Sequence, residues 1–147
     1  MTHKILDIPG GSTRFENCPE VTFTGGGNTS VSITVTYRAT ERTEEAPPRR
    51  GQLVFSDVLE FRWIESNVGY EEYSQHEEDF DFGLIEILDS AYVETMAAHG
   101  GWRDYAGQRI RGQPESLVRH FRFAADDWGT LNIIATEIAI RWLDESR

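Results

Sequence analysis

The sequence has almost no cysteine and lacks any long apolar run. Cys18 is the one cysteine among 147 residues, so an intramolecular disulfide is excluded and a reducing compartment is expected. No run of about 18 apolar residues occurs, which argues against a membrane-spanning helix. Asp7 interrupts the one apolar stretch near the start that could serve as a signal peptide. We therefore expect a soluble protein of the cytoplasm.

Positive charge is missing from a long central stretch. From Trp63 to Trp102 the chain has no Lys or Arg, while the same 40 residues hold ten of the 25 Asp and Glu. This stretch accounts for almost all of the net charge of −11. Because such a surface repels phosphate backbones, nucleic-acid binding is not expected, and a basic protein is the partner that it would attract. Solubility alone is the competing explanation of the charge.

Alternating segments in the first half of the chain predict β-strands. Residues 30–37 carry apolar side chains at odd positions and hydroxyls at even positions, as a half-buried strand does. The glycine-rich residues 25–28 predict a tight turn from a strand at 21–24. A second alternating segment, 52–64, is interrupted at Asp57, where we expect a bulge or a turn.

The strongest fold signal lies at residues 118–142. Two apolar, β-branched runs flank the acidic turn 126–129, a pattern typical of an antiparallel hairpin. A helical stripe through Leu131, Ile134 and Ile138 is a competing interpretation of the second run. The density of β-branched residues favours a strand.

These segments predict one mainly β domain over residues 1–147. The expected fold is an antiparallel sandwich or flattened barrel, with an irregular lead-in at 1–20 and one short helix at 90–99. Ser90 is placed to cap this helix and Gly100 to end it. The alternative is an α+β domain whose C-terminus is helical.

The hairpin resembles part of a known group of proteins. Its Arg119-His120-Phe121 strand, its acidic turn ending in Gly129 and the Ile-Ala strand that follows are similar to the closing strands of a loose group of small, uncharacterised bacterial β-rich proteins. The resemblance covers little beyond the hairpin. It implies strand rather than helix for 130–142, and it implies no activity or site residues.

Pairing across the hairpin defines the candidate site. If Phe123 lies opposite Thr130, then His120 and Arg122 share a sheet face with Glu137. Such a face could form the floor of a ligand cavity, although a solvent-facing set of cross-strand pairs is the competing interpretation. Trp63 is expected on the cavity wall, and Trp128 is placed to cover the hairpin as a lid. The candidate binding residues are therefore His120, Arg122, Glu137, Trp63 and Trp128.

Motifs for metal, phosphate or nucleophile chemistry are not found in the sequence. His76 lacks a second His at zinc-binding spacing, and the acidic pair at 126–127 lacks the pattern of a Ca²⁺ loop. The glycine-rich turn is not followed by the Lys-Ser/Thr of a phosphate loop. Cys18 has no basic neighbour to activate it. No metal, cofactor or catalytic residue is therefore assigned.

The leading functional hypothesis uses the acidic stretch. A non-enzymatic interaction protein would dock a basic protein partner through residues 65–81, on the principle by which small acidic immunity proteins neutralise basic toxins. We expect a monomer or a homodimer. The acidic residues expected to contact the partner are Glu71, Glu72, Glu77, Glu78, Asp79 and Asp81.

Two alternatives use the hairpin instead. In one, a small ligand occupies a sheet-lined cavity. In the other, an enzyme uses His120 with a carboxylate such as Glu137. The walls of the expected cavity are Trp63, Phe61, Phe121 and His120.

Overall fold

The structure, a computed structural model, describes residues 3–11, 13, 18–26, 29–39, 49–65, 83–103, 107–108, 118–125 and 128–143. Nine strands and one helix lie within these ranges. In chain order they are β1 (His3–Leu6), β2 (Glu20–Gly26), β3 (Thr29–Arg38), β4 (Arg50–Ser56), β5 (Glu60–Ile64), β6 (Gly83–Ile87), α1 (Ala91–Ala98), β7 (Arg119–Ala125), β8 (Gly129–Ala135) and β9 (Glu137–Trp142).

The strands form two antiparallel sheets that pack face to face. Sheet A has the strand order β1-β6-β7-β8-β5, and sheet B has the order β2-β3-β4-β9. The predicted antiparallel sandwich with one short helix is confirmed. Over the described residues the two sheets do not close into a barrel. The alternative with a helical C-terminus is wrong, because β8 and β9 occupy that segment.

Two strand pairs change sheets at one corner of the sandwich. β4 leads into β5 and β8 leads into β9, and the crossings lie side by side because β4 pairs with β9 and β5 with β8. Asp57 lies at the first crossing, and its φ of 52° is in the left-handed region. Its carboxylate accepts hydrogen bonds from Ser30 Oγ and, at 3.3 Å, from Thr136 Oγ1 in the second crossing. The break predicted at Asp57 is confirmed, whereas the single strand predicted over 130–142 is divided at Thr136.

The hydrophobic core lies between the two sheets. β3 contributes Ile33, Val35 and Tyr37, which are all fully buried, as the alternation of residues 30–37 predicts. Sheet A places Phe121 and Phe123 opposite them, and the Tyr37 and Phe123 ring centroids are 5.7 Å apart. Tilted aromatic pairs of this kind contribute about 0.5–1.5 kcal/mol beyond the area that they bury.

The N-terminal segment is held by both sheets. His3–Leu6 pairs with β6 as an outer strand of sheet A, so the irregular lead-in predicted for 1–20 is wrong there. A strand of four residues is too short to show an alternation, which is why the sequence does not reveal it. Tyr37 Oη then donates a hydrogen bond to the Pro9 carbonyl at 2.9 Å. A Cβ at Gly51 would lie 2.4 Å from the Tyr37 ring. Residue 51 therefore has to be glycine for the Tyr37 ring to occupy this position.

A third layer covers part of the outer face of sheet A. α1 follows Ser90, whose Oγ accepts the Val93 amide N–H at 3.1 Å as an N-cap does. Tyr92 packs against Ile85 and Ile87, two buried side chains of β6. The predicted helix and its cap are confirmed. Within the described ranges no helix is long and apolar enough to cross a membrane.

Replacing Asp57 tests whether the corner depends on its carboxylate. Asp57→Ala removes both acceptors while keeping a side chain at positive φ, so the free energy of unfolding should fall by about 1–3 kcal/mol. Urea unfolding followed by tryptophan fluorescence measures the change. Asp57→Asn keeps one acceptor oxygen and tolerates the left-handed backbone, so it should lose clearly less. Equal losses in the two variants would contradict a role for these hydrogen bonds.

Candidate functional site

The β7–β8 hairpin carries the candidate site, in a register one residue away from the predicted one. Phe123 lies opposite Leu131, and not opposite Thr130. Because side chains alternate across a strand, the shift exchanges the two faces of β8. Leu131 and Ile133 therefore enter the core, and Asn132 faces outward from the sandwich.

Gly129 sets this register. It pairs with Ala125 and leaves a three-residue loop, where the predicted pairing has two residues. Its φ is 129°, and a Cβ there would lie 2.1 Å from the Ile64 carbonyl oxygen. Glycine therefore lets β8 begin against β5. The predicted register is wrong because it was based on the hairpin residues alone, whereas the contact that sets it is made with Ile64, far away in the sequence.

Two rows of side chains cross the outer face of sheet A, from β1 to β5. The first, which we call the histidine row, lies partly beneath α1. It consists of His3, Ile87, His120, Ile134 and Glu60. The second, the arginine row, lies next to the first, two residues away from it on each strand. It consists of Ile5, Ile85, Arg122, Asn132 and Arg62.

His120 joins the helix to the sheet through hydrogen bonds at both ring nitrogens. Its Nδ1 lies 2.7 Å from Ser90 Oγ, and its Nε2 lies 3.2 Å from Asn132 Oδ1. All three side chains are buried. The link therefore runs from the N-cap of α1, through the imidazole, to the middle of β8.

The hydrogen-bond partners determine which imidazole nitrogen carries the proton. Asn132 Oδ1 lies against Nε2 and can only accept a hydrogen bond, so Nε2 is the donor. Nδ1 is then the acceptor and Nε2 is the protonated nitrogen of a neutral ring. Ser90 Oγ then donates to Nδ1 while it accepts the Val93 N–H.

The surroundings of His120 favour the neutral ring. Burial lowers the pKa of His120 to about 4, because the imidazolium would lose its hydration. The hydrogen bond with Asn132 and the charge of Glu60 act in the opposite direction, and the charge of Arg122 acts with the burial. His120 is therefore uncharged at neutral pH.

Glu60 makes a second connection between α1 and sheet A. Its Oε1 accepts a hydrogen bond from Tyr92 Oη, and its Oε2 accepts one from Trp102 Nε1 at 2.9 Å. The Tyr92 ring also lies 6.4 Å from the His120 ring. The sequence places Glu60 on the polar side of its strand but gives no indication of these two donors.

The Ser90–His120–Asn132 arrangement contains the groups of a nucleophilic relay, yet its geometry favours a structural role. His120 is 1% exposed and Ser90 is 6% exposed, and the serine oxygen is engaged in capping α1. A nucleophile has to reach its substrate, and this hydroxyl faces the protein interior. The hydrogen bonds therefore fasten the helix to the sheet.

Glu137 is separated from the other predicted binding residues. It is an exposed residue at the start of β9 in sheet B, and its charge acts on Arg119, where it helps to raise the pKa. His120 and Arg122 do share the outer face of sheet A, as predicted. The sheet face predicted to carry His120, Arg122 and Glu137 is therefore wrong for Glu137, because β9 leaves sheet A after Thr136.

Trp63 and Trp128 meet on the other side of sheet A. Their ring centroids are 6.0 Å apart, and Trp128 also packs edge-on against Phe123 at 5.9 Å. Phe61 lies on the same side of β5, opposite Ile133. Its ring is tilted against that of Phe23 at 6.0 Å, across the gap between the two sheets.

These contacts define a surface that we call the aromatic edge. It consists of inward-facing residues of β2 and β5, the outer strands at one side of the sandwich. They remain 41% to 52% exposed, although their cross-strand partners are fully buried or nearly so. The members of the aromatic edge are Val21, Phe23, Phe61 and Trp63.

The cavity predicted from the sequence does not form from its four residues. Trp63 and Phe61 lie on the aromatic edge, Phe121 is in the core, and His120 is on the opposite face of sheet A. The acidic residues Glu71, Glu72, Glu77, Glu78, Asp79 and Asp81 lie outside the described residues. In the described part of the chain, no group of three His, Cys, Asp or Glu side chains could hold a metal ion.

Protonation of His120 predicts a loss of stability in mild acid. The folded state holds the imidazole neutral down to about pH 4, whereas the unfolded chain protonates it near pH 6.5. Below pH 6.5 the unfolded state therefore binds more protons, and stability falls until both states are protonated. The total loss from this group is about 3 kcal/mol.

Urea unfolding at a series of pH values from neutral to mildly acidic measures this dependence. His120→Gln keeps a polar side chain but removes the titrating group, so its stability should vary much less over the same interval. His99, which is exposed at the end of α1, provides the control: His99→Gln should keep the acid dependence of the wild type. If His120→Gln leaves the steep acid dependence intact, another group is responsible.

Comparison with known proteins gives no family assignment. No family model matches the chain, and neither a curated protein nor a solved structure matches it.

Proposed function

We propose that the protein is a non-enzymatic binding module that docks a basic protein partner on the aromatic edge. The observation that carries the proposal is the exposure of Phe23, Phe61 and Trp63, at 52%, 47% and 46%. Contiguous exposed aromatic side chains are typical of protein interaction sites.

The position of the aromatic edge explains why it is available to a partner. Phe23 lies opposite Ile33 in β2–β3, and Phe61 lies opposite Ile133 in β5–β8. Both partners are completely buried, but β2 and β5 are outer strands whose inward faces extend beyond the core. Covering the exposed halves of three large rings contributes on the order of 5 kcal/mol before the entropic cost of association.

The charge of the sequence that follows β5 supports a basic partner. β5, which carries Phe61 and Trp63, is followed directly by the acidic stretch that starts at Glu65. No Lys or Arg occurs from there to Trp102. An apolar surface on a strand that continues into a strongly acidic stretch of sequence suits a partner with an apolar protrusion flanked by Lys and Arg.

Two double variants test whether binding depends on the aromatic edge or on exposed apolar side chains in general. Phe23→Ser with Phe61→Ser removes two rings of the aromatic edge. Ile5→Ser with Leu88→Ser is the matched control, because these side chains are 51% and 55% exposed elsewhere on the molecule. A partner isolated from the native host on the wild-type protein should have a net positive charge. With purified components, its dissociation constant should rise at least about tenfold in the first variant and remain unchanged in the control.

Salt provides the second measurement. Raising the ionic strength from about 0.05 to about 0.5 M should weaken the complex, because charge attraction is screened. If binding is insensitive to both salt and the aromatic variant, the proposal fails. If the protein instead associates with itself and Phe23→Ser with Phe61→Ser abolishes the dimer, the aromatic edge is a homodimer contact and the basic partner is wrong.

A further inference from the structure

β2 is the most exposed of the described strands. It is an outer strand of sheet B and pairs with β3 along one side. Every residue from Glu20 to Gly25 is exposed, whereas β1, β5 and β9 each contain half-buried positions. In the part of the chain that the structure describes, no backbone hydrogen bond reaches the outer side of β2. The strand therefore presents a row of backbone donors and acceptors to solvent.

The register of sheet B shows which groups of β2 face outward. In an antiparallel sheet, consecutive residues direct their backbone groups to opposite sides of the strand. The Ala39 N–H, just after β3, donates to the Arg49 carbonyl at 2.8 Å on the side of β4. The odd-numbered residues of β3 therefore bond to β4, and its even-numbered residues bond to β2. Val21 and Phe23 lie opposite odd-numbered residues, so their N–H and C=O groups point away from β3.

β2 also lacks the features that protect the other outer strands. Proteins commonly prevent the addition of a further strand by a very short edge or by a charged side chain on it, above all lysine. β1 has four residues and contains Lys4, β5 contains Arg62, and β9 contains Arg141. Of these four described outer strands, β2 alone has no Lys or Arg, and its one charged residue is Glu20.

The two faces of β2 indicate the kind of segment that would suit this edge. The sequence contains no Lys or Arg from Phe15 to Tyr37, so no cation of β2 or of the adjacent part of β3 repels a basic segment. On the inward face, Val21 and Phe23 offer apolar surface, and the Phe23 ring lies against Phe61. A segment with apolar side chains at alternate positions and Lys or Arg between them complements both faces.

We propose that β2 receives an extended segment of the basic partner as an additional strand of sheet B. Val21 and Phe23 each offer this segment one backbone donor and one backbone acceptor, as in other cases of β-strand addition. Its apolar side chains lie against Val21 and Phe23, and a Lys or Arg lies beside Glu20. The inference rests on the proposed function, because it states how the same partner is held when it covers the aromatic edge.

Hydrogen exchange of individual amides tests the added strand directly. The full-length protein labelled with ¹⁵N is compared by nuclear magnetic resonance with and without a synthetic peptide of alternating lysine and valine. Exchange of the Val21 and Phe23 amides should be fast in the protein alone and slow with the peptide, because these amides then donate to its backbone. The Thr22 amide already bonds to β3, so its exchange should change little. A peptide with glutamate in place of lysine should bind more weakly.

Val21→Pro removes one outward donor without removing a hydrogen bond to β3. The dissociation constant of the lysine–valine peptide, measured by calorimetry, should rise at least about tenfold. Val21→Ala is the matched control, because it shortens the side chain but keeps the N–H, and it should weaken binding clearly less. Urea unfolding establishes that both variants are folded.

Three results would overturn the proposal. The first is unchanged exchange of the Val21 and Phe23 amides with the peptide, and the second is equal weakening of binding by Val21→Pro and Val21→Ala. The third is slow exchange of both amides in the protein alone, together with a dimer that Val21→Pro dissociates, because a second copy of the chain then occupies β2.

Failure of the added strand can be distinguished from failure of the proposed function. A partner from the native host that is lost with the double variant Phe23→Ser and Phe61→Ser, but kept with Val21→Pro, leaves the aromatic edge as its docking surface and excludes the added strand. A partner that is kept with the double variant contradicts the proposed function itself.

Discussion

The architecture depends on the paired crossing at Asp57 and Thr136. Because β4–β5 and β8–β9 bend together, the chain keeps backbone pairing on both sides of the corner. A backbone amide of each crossing reaches across it, from Leu59 to the Ile134 carbonyl at 2.8 Å and from Thr136 to the Ser56 carbonyl at 3.3 Å. The bend also directs β5 toward β2. The outer strands of the two sheets therefore approach each other at this side of the sandwich, where the Phe23 and Phe61 rings are in contact.

The outer face of sheet A is organised by a neutral imidazole. His120 uses one nitrogen as an acceptor and the other as a donor, so a single uncharged ring satisfies both the helix cap and the amide oxygen of Asn132. A protonated ring would have donors at both nitrogens and would leave the Ser90 hydroxyl without this acceptor. The loss of hydration keeps the ring neutral. The acceptor Asn132 Oδ1 sets the direction of the two hydrogen bonds, because the proton must then lie on Nε2.

Local features of the fold could be predicted from the sequence, and features made by distant contacts could not. The alternation at 30–37, the cap at Ser90 and the break at Asp57 each depend on neighbouring residues. The hairpin register depends on Gly129 approaching the Ile64 carbonyl, and a change of one residue there exchanges the faces of β8. For the same reason His120 and Arg122 could be placed on one face, whereas their neighbours Asn132 and Arg62 could not be found.

The pairing of β9 with β4 has a consequence for synthesis on the ribosome. The β2–β3–β4 meander can pair as soon as Ser56 has left the exit tunnel. Leu53 lies opposite Ile140, however, so sheet B lacks its last strand until Glu137–Trp142 has been made. The inward faces of β7 and β8, which cover Ile33 and Val35, arrive just as late. The β2–β3–β4 meander must therefore keep an uncovered apolar face until these later strands are made, and the two sheets cannot pack before then.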